Sequence, residues 1–180
     1  FPASEYVGLE IDTPENRARK QADYYYDGEV FPFPDQCFDG VICNQVLEHV
    51  FAPEIFLAEI RRVLKSGGNL LLTVPFVWDE HEQPWDYARY SSFGLKSLLE
   101  KNGFEVAEQH KINADVRVLF QLVNGYLYKV LWTRQPIANL LVCGVVMAPF
   151  NILGALLYRL LPANPDLYLD QLVLARKVAA

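Results

Sequence analysis

The chain has 180 residues and a formal net charge of −6 at pH 7. This length allows one domain with a hydrophobic core, and the acidic balance argues against a general nucleic-acid binder, which would normally be basic. The three cysteines, Cys37, Cys43 and Cys143, lack CxxC spacing, which favours free thiols in a reducing compartment. The chain starts at Phe1 and its single methionine is Met147, so we expect it to begin inside a longer protein.

Two short strands separated by a helix form the first predicted unit. Residues 6–11 are a compact apolar segment that ends in acid. Pro14 then marks a helix start, because the N–H that proline lacks has no helical partner in the first turn. The aromatic segment 22–26 predicts an edge strand. Asp27 and Gly28 follow it as a strong turn signal.

The stretch from residue 27 to residue 50 organises the rest of the chain. An aromatic and proline-rich loop leads into the apolar run 38–43, which is short, bounded by turn residues and rich in β-branched side chains. This run predicts a strand buried on both faces. Asn44 and Gln45 end the strand. Because ligands of open α/β sheets lie beyond the carboxyl ends of the strands, we expect a ligand site at residues 44–49.

Three short words in this stretch resemble one enzyme family. The loop FPFPD at 31–35, the pair FD at 38–39 and the word VLEH at 46–49 are together similar to the class I S-adenosylmethionine-dependent methyltransferases, in the branch near ubiquinone-type and small-molecule methyltransferases. The resemblance covers residues 6–103. It implies a Rossmann-like α/β sheet with helices on both faces, S-adenosylmethionine as cofactor, and methyl transfer to a small-molecule or lipid-linked acceptor.

The resemblance also assigns cofactor-binding residues. Glu10 matches the family's ribose-binding carboxylate, and Asp27 matches the acid that accepts a hydrogen bond from the adenine amino group, with Asp23 as the competing candidate. An ordinary strand-end acid and a turn residue are the alternatives for Glu10 and Asp27. His49 is expected to shape the pocket, with direct chemistry as its alternative. The expected cofactor-binding set is Glu10, Asp27, Gly28, Asn44, Gln45 and His49.

A helix and a second strand follow. Residues 53–65 predict a helix with Phe56, Ile60 and Val63 on one face. The Ser-Gly-Gly sequence at 66–68 predicts the end of this helix with a left-handed glycine cap, and residues 69–76 predict another strand buried on both faces. This unit supports an α/β fold, but it is too generic to indicate a function.

The polar and aromatic loop of residues 78–90 follows this strand and is the expected mouth of the active site. Methyl transfer needs a base only when the acceptor must lose a proton, and His81 is the candidate base because its ordinary pKa is near neutrality. Glu82 and Asp86 are alternates. The expected acceptor-binding residues are Glu82, Asp86, Tyr87, Arg89 and Tyr90.

Two other interpretations of this loop are a structural role and a metal site. Arg89 could pair with Asp86 or Glu82, which would make the loop a structural element. The sequence HEQPW lacks the HExxH spacing of a zinc site, so no metal is expected.

The C-terminal part combines ordinary elements with an apolar insertion. Ser91 or Ser92 caps a helix that ends at Gly103, and segments 104–111 and 170–177 predict two strands. The resemblance implies that the last strand is antiparallel. Between these strands lies the insertion, residues 114–161. No side chain from Gln135 to Tyr158 is charged, and the prolines and glycines of this segment predict two or three helices instead of one straight span.

Three surroundings are open for the insertion. It can lie on or re-enter a membrane, form a dimer interface or lid, or span a membrane. We expect a single, cytoplasmic methyltransferase domain over residues 1–180. If the insertion lies on a membrane, the domain is peripheral to that membrane; if the insertion forms a dimer interface, the protein is a homodimer.

The sequence also departs from the family pattern. The glycine-rich loop that receives the cofactor after the first strand has no counterpart, so the sheet either has a gap between strands 6–11 and 38–43 or closes by pairing them directly. We therefore expect the parent protein to be an active enzyme that binds S-adenosylmethionine, and this chain to bind the cofactor weakly or not at all and to be inactive. Two other functions are open: an inactive methyltransferase-like module that attaches to a membrane or a subunit, and a dehydrogenase or epimerase, which the absence of GxGxxG and Tyr-x-x-x-Lys disfavours.

Overall fold

The computed structural model describes residues 5–19 and 21–178. Strands and helices follow one another in the mixed α/β order that the sequence predicts. In chain order they are β1 (Leu9–Ile11), α1 (Pro14–Arg19), β2 (Tyr24–Tyr26), β3 (Phe38–Asn44), a 3-10 turn (Leu47–His49), α2 (Pro53–Val63), β4 (Leu64–Pro75), α3 (Ser92–Lys101), β5 (Phe104–Ile112), α4 (Arg117–Leu131), α5 (Pro136–Leu141), a π-helical turn (Val142–Met147), α6 (Ala148–Leu157) and β6 (Asp170–Lys177).

The strands form two separate sheets. β1 and β2 pair in parallel, with Glu10 opposite Tyr25. The larger sheet has the order β3-β4-β6-β5, in which β3 is parallel to β4, and β6 is antiparallel to both β4 and β5 as predicted. No strand ladder joins the small sheet to β3 within the described residues. Of the two predicted arrangements, the gap is therefore the one that this structure contains.

β3 is an edge strand, which corrects the prediction that it is buried on both faces. Only Cys43 is buried in it, and the side chain of Ile42 is 55% exposed. β4 is its single strand partner in the described part of the chain, so its other edge meets solvent. β4 itself is fully buried on one face, through Leu70, Leu72 and Val74, and half-buried on the other.

The core lies between the larger sheet and helices α2 and α3. α2 buries Phe56, Leu57 and Ile60, which follow helical spacing, and α3 buries Leu95 and Leu99. These side chains form one cluster with the buried residues of β4 and β6. Complete burial of one such leucine stabilises a fold by about 1.5 to 3 kcal/mol, so this cluster fixes the position of the sheet edge that carries the site.

Aromatic contacts bridge the gap between the two sheets. Tyr26 of β2 packs edge-on against Phe31, which packs in the same way against Phe56 of α2, with ring centroids 5.1 and 5.6 Å apart. Phe33 contacts both Tyr24 and Phe38 at 5.1 and 4.9 Å. The aromatic-proline loop therefore joins the small sheet to the core without a strand between them.

Arg62 holds this loop against α2. Its guanidinium donates to the carbonyl oxygens of Phe31 and Phe33 at 3.0 and 2.8 Å, to Asp35 at 2.8 Å and to both carboxylate oxygens of Glu59 at 2.7 and 2.8 Å. Glu59 in turn accepts a hydrogen bond from the N–H of Phe31 at 2.8 Å. Arg62 and Glu59 thus satisfy backbone groups that the loop cannot pair by itself.

The ends of the helices follow the predicted signals in α3 but not in α2. Ser91 Oγ accepts a hydrogen bond from the N–H of Gly94 at 3.2 Å, and Gly103 ends α3 with φ of 80°. α2 ends at Val63 because Leu64 is already extended and opens β4. Gly67 has φ of 71° but lies within β4, beside a register shift, so the predicted glycine cap of α2 is wrong.

The insertion is a pair of antiparallel helical segments. Asn124 of α4 donates to Asn151 of α6 at 2.7 Å, and Phe120 packs so closely on Gly154 that a Cβ there would lie 3.0 Å from its ring. The second segment runs from Pro136 to Leu157 without the predicted break. A π-helical turn lies immediately before Pro149, so the N–H that proline lacks falls where the regular hydrogen bonding is already interrupted.

Candidate functional site

The carboxyl ends of β1, β2 and β3 converge on the side chain of Tyr26. Ile11 and Tyr26 are opposite each other where β1 and β2 end. Burial raises the pKa of Tyr26 to about 12, and the nearby thiol of Cys43 and carboxylates of Glu10 and Asp27 add to the shift. Tyr26 is therefore a half-buried tyrosine whose ionisation is affected by groups of β1, β3 and the turn after β2. Tyr26 itself was not among the predicted residues.

The three candidate acids of the small sheet have different partners. Asp23, the competitor for the adenine role, accepts a hydrogen bond from the N–H of Gly8 at 2.8 Å. Asp27 accepts from the N–H groups of its own turn at 3.0 and 3.2 Å, which lowers the pKa of Asp27, and Gly28 completes the turn with φ of 95°. Glu10 is exposed, and one of its oxygens accepts from the adjacent N–H of Ile11 at 2.9 Å.

Asn44 and Gln45 tie the end of β3 to its neighbours. The hydroxyl of Thr73 donates to Asn44 Oδ1 at 2.6 Å. Gln45, with φ of 53°, donates through Nε2 to Thr73 Oγ1 at 3.4 Å and to Asp170 Oδ1 at 3.3 Å. Both predicted residues therefore position the strand end, and Asn44 remains exposed beside the site. Thr73 and Asp170 were missed because their roles depend on pairing with distant strands.

Three side chains beyond the end of β3 face one another. Glu48 and His49 lie in the 3-10 turn, and His81 lies in the loop of residues 78–90. This loop is attached to the turn by two hydrogen bonds, in which the N–H groups of Tyr87 and Ala88 donate to the carbonyl of Glu48 at 2.9 and 3.2 Å. The imidazoles of His49 and His81 meet edge-on with centroids 4.9 Å apart. One ligand atom from each of the three lies within 4.8 Å of the others. We call Glu48, His49 and His81 the acid–imidazole cluster.

Glu48 is the unusual member of this cluster. Its side chain is completely buried, and neither carboxyl oxygen has a hydrogen-bond partner among the described residues. Burial raises the pKa of Glu48, while His49, His81 and Arg89 act in the opposite direction. A buried polar group without a partner costs about 1 to 3 kcal/mol, a cost that a purely structural position would avoid.

Hydrogen bonds fix one nitrogen of each imidazole. His49 Nδ1 lies 2.8 Å from the carbonyl oxygen of Trp85, and His81 Nδ1 lies 3.2 Å from that of Asp79. Arg89 Nη2 is 3.4 Å from His81 Nδ1, but its own hydrogens are directed to Asp79 O and Asp86 Oδ2 at 2.9 and 2.7 Å. Each Nδ1 therefore carries the proton, and each Nε2 keeps a lone pair.

Asp86 and Arg89 form the predicted structural pair. Both carboxylate oxygens of Asp86 accept from the Arg89 guanidinium, and Asp86 Oδ2 also accepts from the N–H of His81 at 2.9 Å. The guanidinium holds the pKa of Asp86 well below its usual range. Both side chains are engaged with each other and are not free to bind an acceptor. Glu82, the other predicted partner of Arg89, is exposed with φ of 50°.

The two tyrosines of the loop differ in exposure. Tyr87 is exposed and packs edge-on against Phe51, which is still more exposed, with centroids 5.3 Å apart. Tyr90 is half-buried against the core, which raises its pKa, and its carbonyl accepts from Gln171 at 2.6 Å. Tyr87 therefore lies at the surface of the loop, whereas Tyr90 packs against the core.

Comparison with known proteins supports one family. A profile described as a methyltransferase domain matches residues 2–72. The ubiquinone/menaquinone biosynthesis C-methyltransferase of Paraburkholderia phymatum is 43% identical over 122 residues, covering 52% of this chain and 50% of that protein. These matches support the predicted class I S-adenosylmethionine-dependent methyltransferase family and the predicted cofactor.

Two further proteins are similar to this chain. A probable S-adenosylmethionine-dependent methyltransferase of Mycolicibacterium smegmatis is 34% identical over 83 residues, or 43% of this chain and 32% of that protein. A solved S-adenosylmethionine-dependent methyltransferase from Archaeoglobus fulgidus superimposes with a TM-score of 0.57 at 16% identity, covering 96% of this chain and 76% of that one, which supports the fold. The chain spans half or less of the length of these curated relatives.

The nucleoside end of S-adenosylmethionine fits the residues of the small sheet. Glu10 offers carboxylate oxygens at the end of β1, and Asp27 offers a carboxylate at the end of β2. Ribose hydroxyls and an adenine amino group are donors, so these acceptors match their chemistry. The chemistry of these acceptors therefore fits the nucleoside of the cofactor.

Proposed function

We propose that this chain carries the nucleoside-binding and acceptor-binding residues of a methyltransferase that acts on a small, apolar or lipid-linked acceptor. The observation that carries the proposal is the acid–imidazole cluster beyond the end of β3, together with Glu10 in β1 and Asp27 directly after β2. The Paraburkholderia relatives are named ubiquinone/menaquinone biosynthesis C-methyltransferases, which supports an apolar acceptor.

The residues divide the work as follows. S-adenosylmethionine supplies an electrophilic methyl group on a sulfonium. Glu10 accepts hydrogen bonds from the ribose hydroxyls and Asp27 from the adenine amino group. Tyr87 and Phe51 contact the acceptor. His81 takes the proton from the nucleophilic atom of the acceptor when that atom must lose one. Because methyl transfer is an in-line displacement, holding the two reactants in line accounts for much of the acceleration.

The cofactor assignment is tested by Glu10→Ala in the full-length protein. Loss of a charge-assisted hydrogen bond of about 1.5 to 3 kcal/mol should weaken S-adenosylhomocysteine binding about tenfold to hundredfold in a calorimetric titration. The thermal midpoint should not change, because Glu10 is exposed. Glu15→Ala, which removes another exposed acid at the second residue of α1, is the matched control. Unchanged affinity in both Glu10→Ala and Asp27→Ala would remove this site.

We propose further that the second helical segment of the insertion lies in a membrane interface. The helix Pro136–Leu157 has 22 residues and is long and apolar enough to cross a membrane by length and composition; its most apolar window has a mean hydropathy of 2.3, and only 6% of that window is buried. Ile137, Leu141, Val145 and Ile152 are all exposed and follow helical spacing. The result is an apolar stripe on a helix about 33 Å long.

Contacts along the insertion favour a position parallel to the protein surface. Near the first end of the helix, Lys129 of α4 donates to Glu80 O at 2.6 Å and pairs with Asp79 at 2.8 Å. The Asn124–Asn151 hydrogen bond holds the middle of the pair. After the second end, Lys111 donates to the carbonyl of Pro165 at 2.7 Å. The segments on both sides of the helix are thus tied to the domain, and its middle is tied to α4, which favours a helix that lies on the membrane instead of spanning it.

The residues beside the stripe favour lipid over a second copy as its occupant. Trp132 and Arg134 precede the helix, and Tyr158 and Arg159 follow it, all of them exposed. Aromatic and basic side chains at both ends of an apolar helix are typical of membrane interfaces. The acceptor proposed above would then reach the site from the lipid phase, past the loop that Lys129 contacts.

Liposome flotation tests this surface. The Val145→Glu and Leu141→Glu variants should each lower the fraction of protein that floats with phosphatidylcholine and phosphatidylglycerol vesicles by at least about tenfold. The reason is that insertion of the stripe into the membrane would then require the burial of a charged side chain. Phe93→Glu, which adds the same charge at an exposed apolar residue of α3, should float like the parent. If instead the stripe variants convert a lipid-free dimer to a monomer and flotation is absent, the occupant is a second copy.

A further inference from the structure

We propose that the acid–imidazole cluster of Glu48, His49 and His81 binds a divalent transition-metal ion of the Zn²⁺ class. Ligand atoms of the three residues lie within 4.8 Å of one another. One carboxylate and two imidazoles are a donor set that proteins use for zinc and for neighbouring first-row ions. The HExxH motif, which the sequence lacks, is one way to bring such ligands together. In this chain the ligands come from two separate segments.

The buried carboxyl group of Glu48 is the strongest argument. Its side chain has no exposed surface and no hydrogen-bond partner among the residues that the structure describes. His49 Nε2 is 3.9 Å from Glu48 Oε1, which is too long for a hydrogen bond between them. An ion between these atoms would give the carboxylate and the imidazole the partner that neither provides to the other.

The surroundings of both histidines match those of metal ligands. Histidines that bind metals through one ring nitrogen usually donate the other N–H to a carbonyl or carboxylate, which fixes the tautomer. Here His49 Nδ1 donates to Trp85 O, and His81 Nδ1 donates to Asp79 O with Asp86 Oδ2 at 3.3 Å. Both Nε2 lone pairs are therefore available, and Asp86 is a positioning residue for His81.

The cluster is also open on one side. The side chains of His49 and His81 are 21% and 31% exposed, whereas Glu48 lies beneath them. Three protein ligands with an open position are typical of catalytic metal sites, in contrast to closed structural sites with four. An ion bound here can accept a further ligand from the solvent side.

The use of that open position rests on the function proposed above. An ion can bind an acceptor oxygen and lower the pKa of its O–H, so that the proton is released to water and the oxygen attacks the methyl carbon as the carbon–sulfur bond breaks. His81 would then act as a ligand, because the same Nε2 cannot also take the proton. The binding of the ion does not depend on this chemistry.

A metal titration tests whether the cluster binds an ion, independently of any role of that ion in methyl transfer. Chelator-treated protein should bind one equivalent of Zn²⁺ in a calorimetric titration, with a rise in the thermal midpoint. Co²⁺ alone should give visible d–d absorption without the thiolate charge-transfer band that binding to Cys37, Cys43 or Cys143 would produce.

Variants assign the binding to the cluster. Glu48→Gln and His81→Ala should each weaken Zn²⁺ binding by more than about tenfold, since even indirect partners of metal ligands contribute that much. His110→Ala removes an exposed histidine outside the cluster and should leave binding unchanged. Equal affinity in the parent and in a folded His81→Ala or Glu48→Gln variant, or no saturable binding in the parent, overturns the proposal. Binding of S-adenosylhomocysteine, measured separately, reports only on Glu10 and Asp27.

Discussion

We expect the Asp86→Ala variant to lose about 3 kcal/mol of unfolding free energy, because removal of one partner leaves the other charge of a largely buried pair uncompensated. The side chain of Asp86 is 4% exposed and that of Arg89 is 23% exposed. The substitution removes two bonds from the guanidinium and the bond from the N–H of His81. Urea unfolding at pH 7, analysed by linear extrapolation, measures the difference.

Asp39→Ala is the matched control for this substitution. Asp39 also pairs with a cation, Lys65, at 2.7 Å, but its side chain is 89% exposed. An exposed pair contributes about 0 to 1 kcal/mol. Equal losses in the two variants would show that the Asp86–Arg89 pair does not hold the loop. In that case His81 would be positioned by something other than Asp86.

Replacing Arg62 by methionine should cost about 2 to 3 kcal/mol at pH 7, and the cost should depend on pH. Donation from Arg62 lowers the pKa of Glu59 in the folded state. A carboxylate with a lowered pKa contributes stability that is complete above its ordinary pKa, about 4.5, and is lost as the pH falls through the folded value. The gap between the parent and Arg62→Met is therefore full at pH 7 and shrinks below about pH 4.5.

Unfolding curves recorded from pH 7 down to pH 3 test this sign. Lys96→Met is the control, because Lys96 and Glu100 form an exposed pair 3.8 Å apart that should contribute little at any pH. A gap that stays constant across this range would mean that Arg62 stabilises the loop through its carbonyl contacts alone. The charge of Glu59 would then be irrelevant to the effect.

Local signals in the sequence predicted most of the element order. The spacing of Phe56 and Ile60 predicts α2, and Ser91 and Gly103 mark the ends of α3, because capping and amphipathic spacing act within a few residues. The exposure of β3 was not predictable in the same way. Whether Ile42 is covered depends on which strands lie beside it, and that depends on distant parts of the chain.

The site shows the same division between local and distant information. The pairing of Asp86 with Arg89 was available as an alternative because the residues are three positions apart. The cluster of Glu48 with His81 could not be predicted in this way, because the two residues are 33 positions apart. It is recognised only from the structure, where the buried carboxyl group of Glu48 has no hydrogen-bond partner among the described residues. Tyr26 was missed for a similar reason, since its neighbours come from three strands.

The open edge of β3 affects how the protein behaves at high concentration. Backbone N–H and C=O groups on that edge have no strand partner in the described part of the chain, and the exposed side chain of Ile42 lies beside them. Such an edge is a template on which a strand from any other chain can add. The solubility of the protein should therefore be limited at this strand, and a lysine at Ile42 would suppress self-association that grows with concentration.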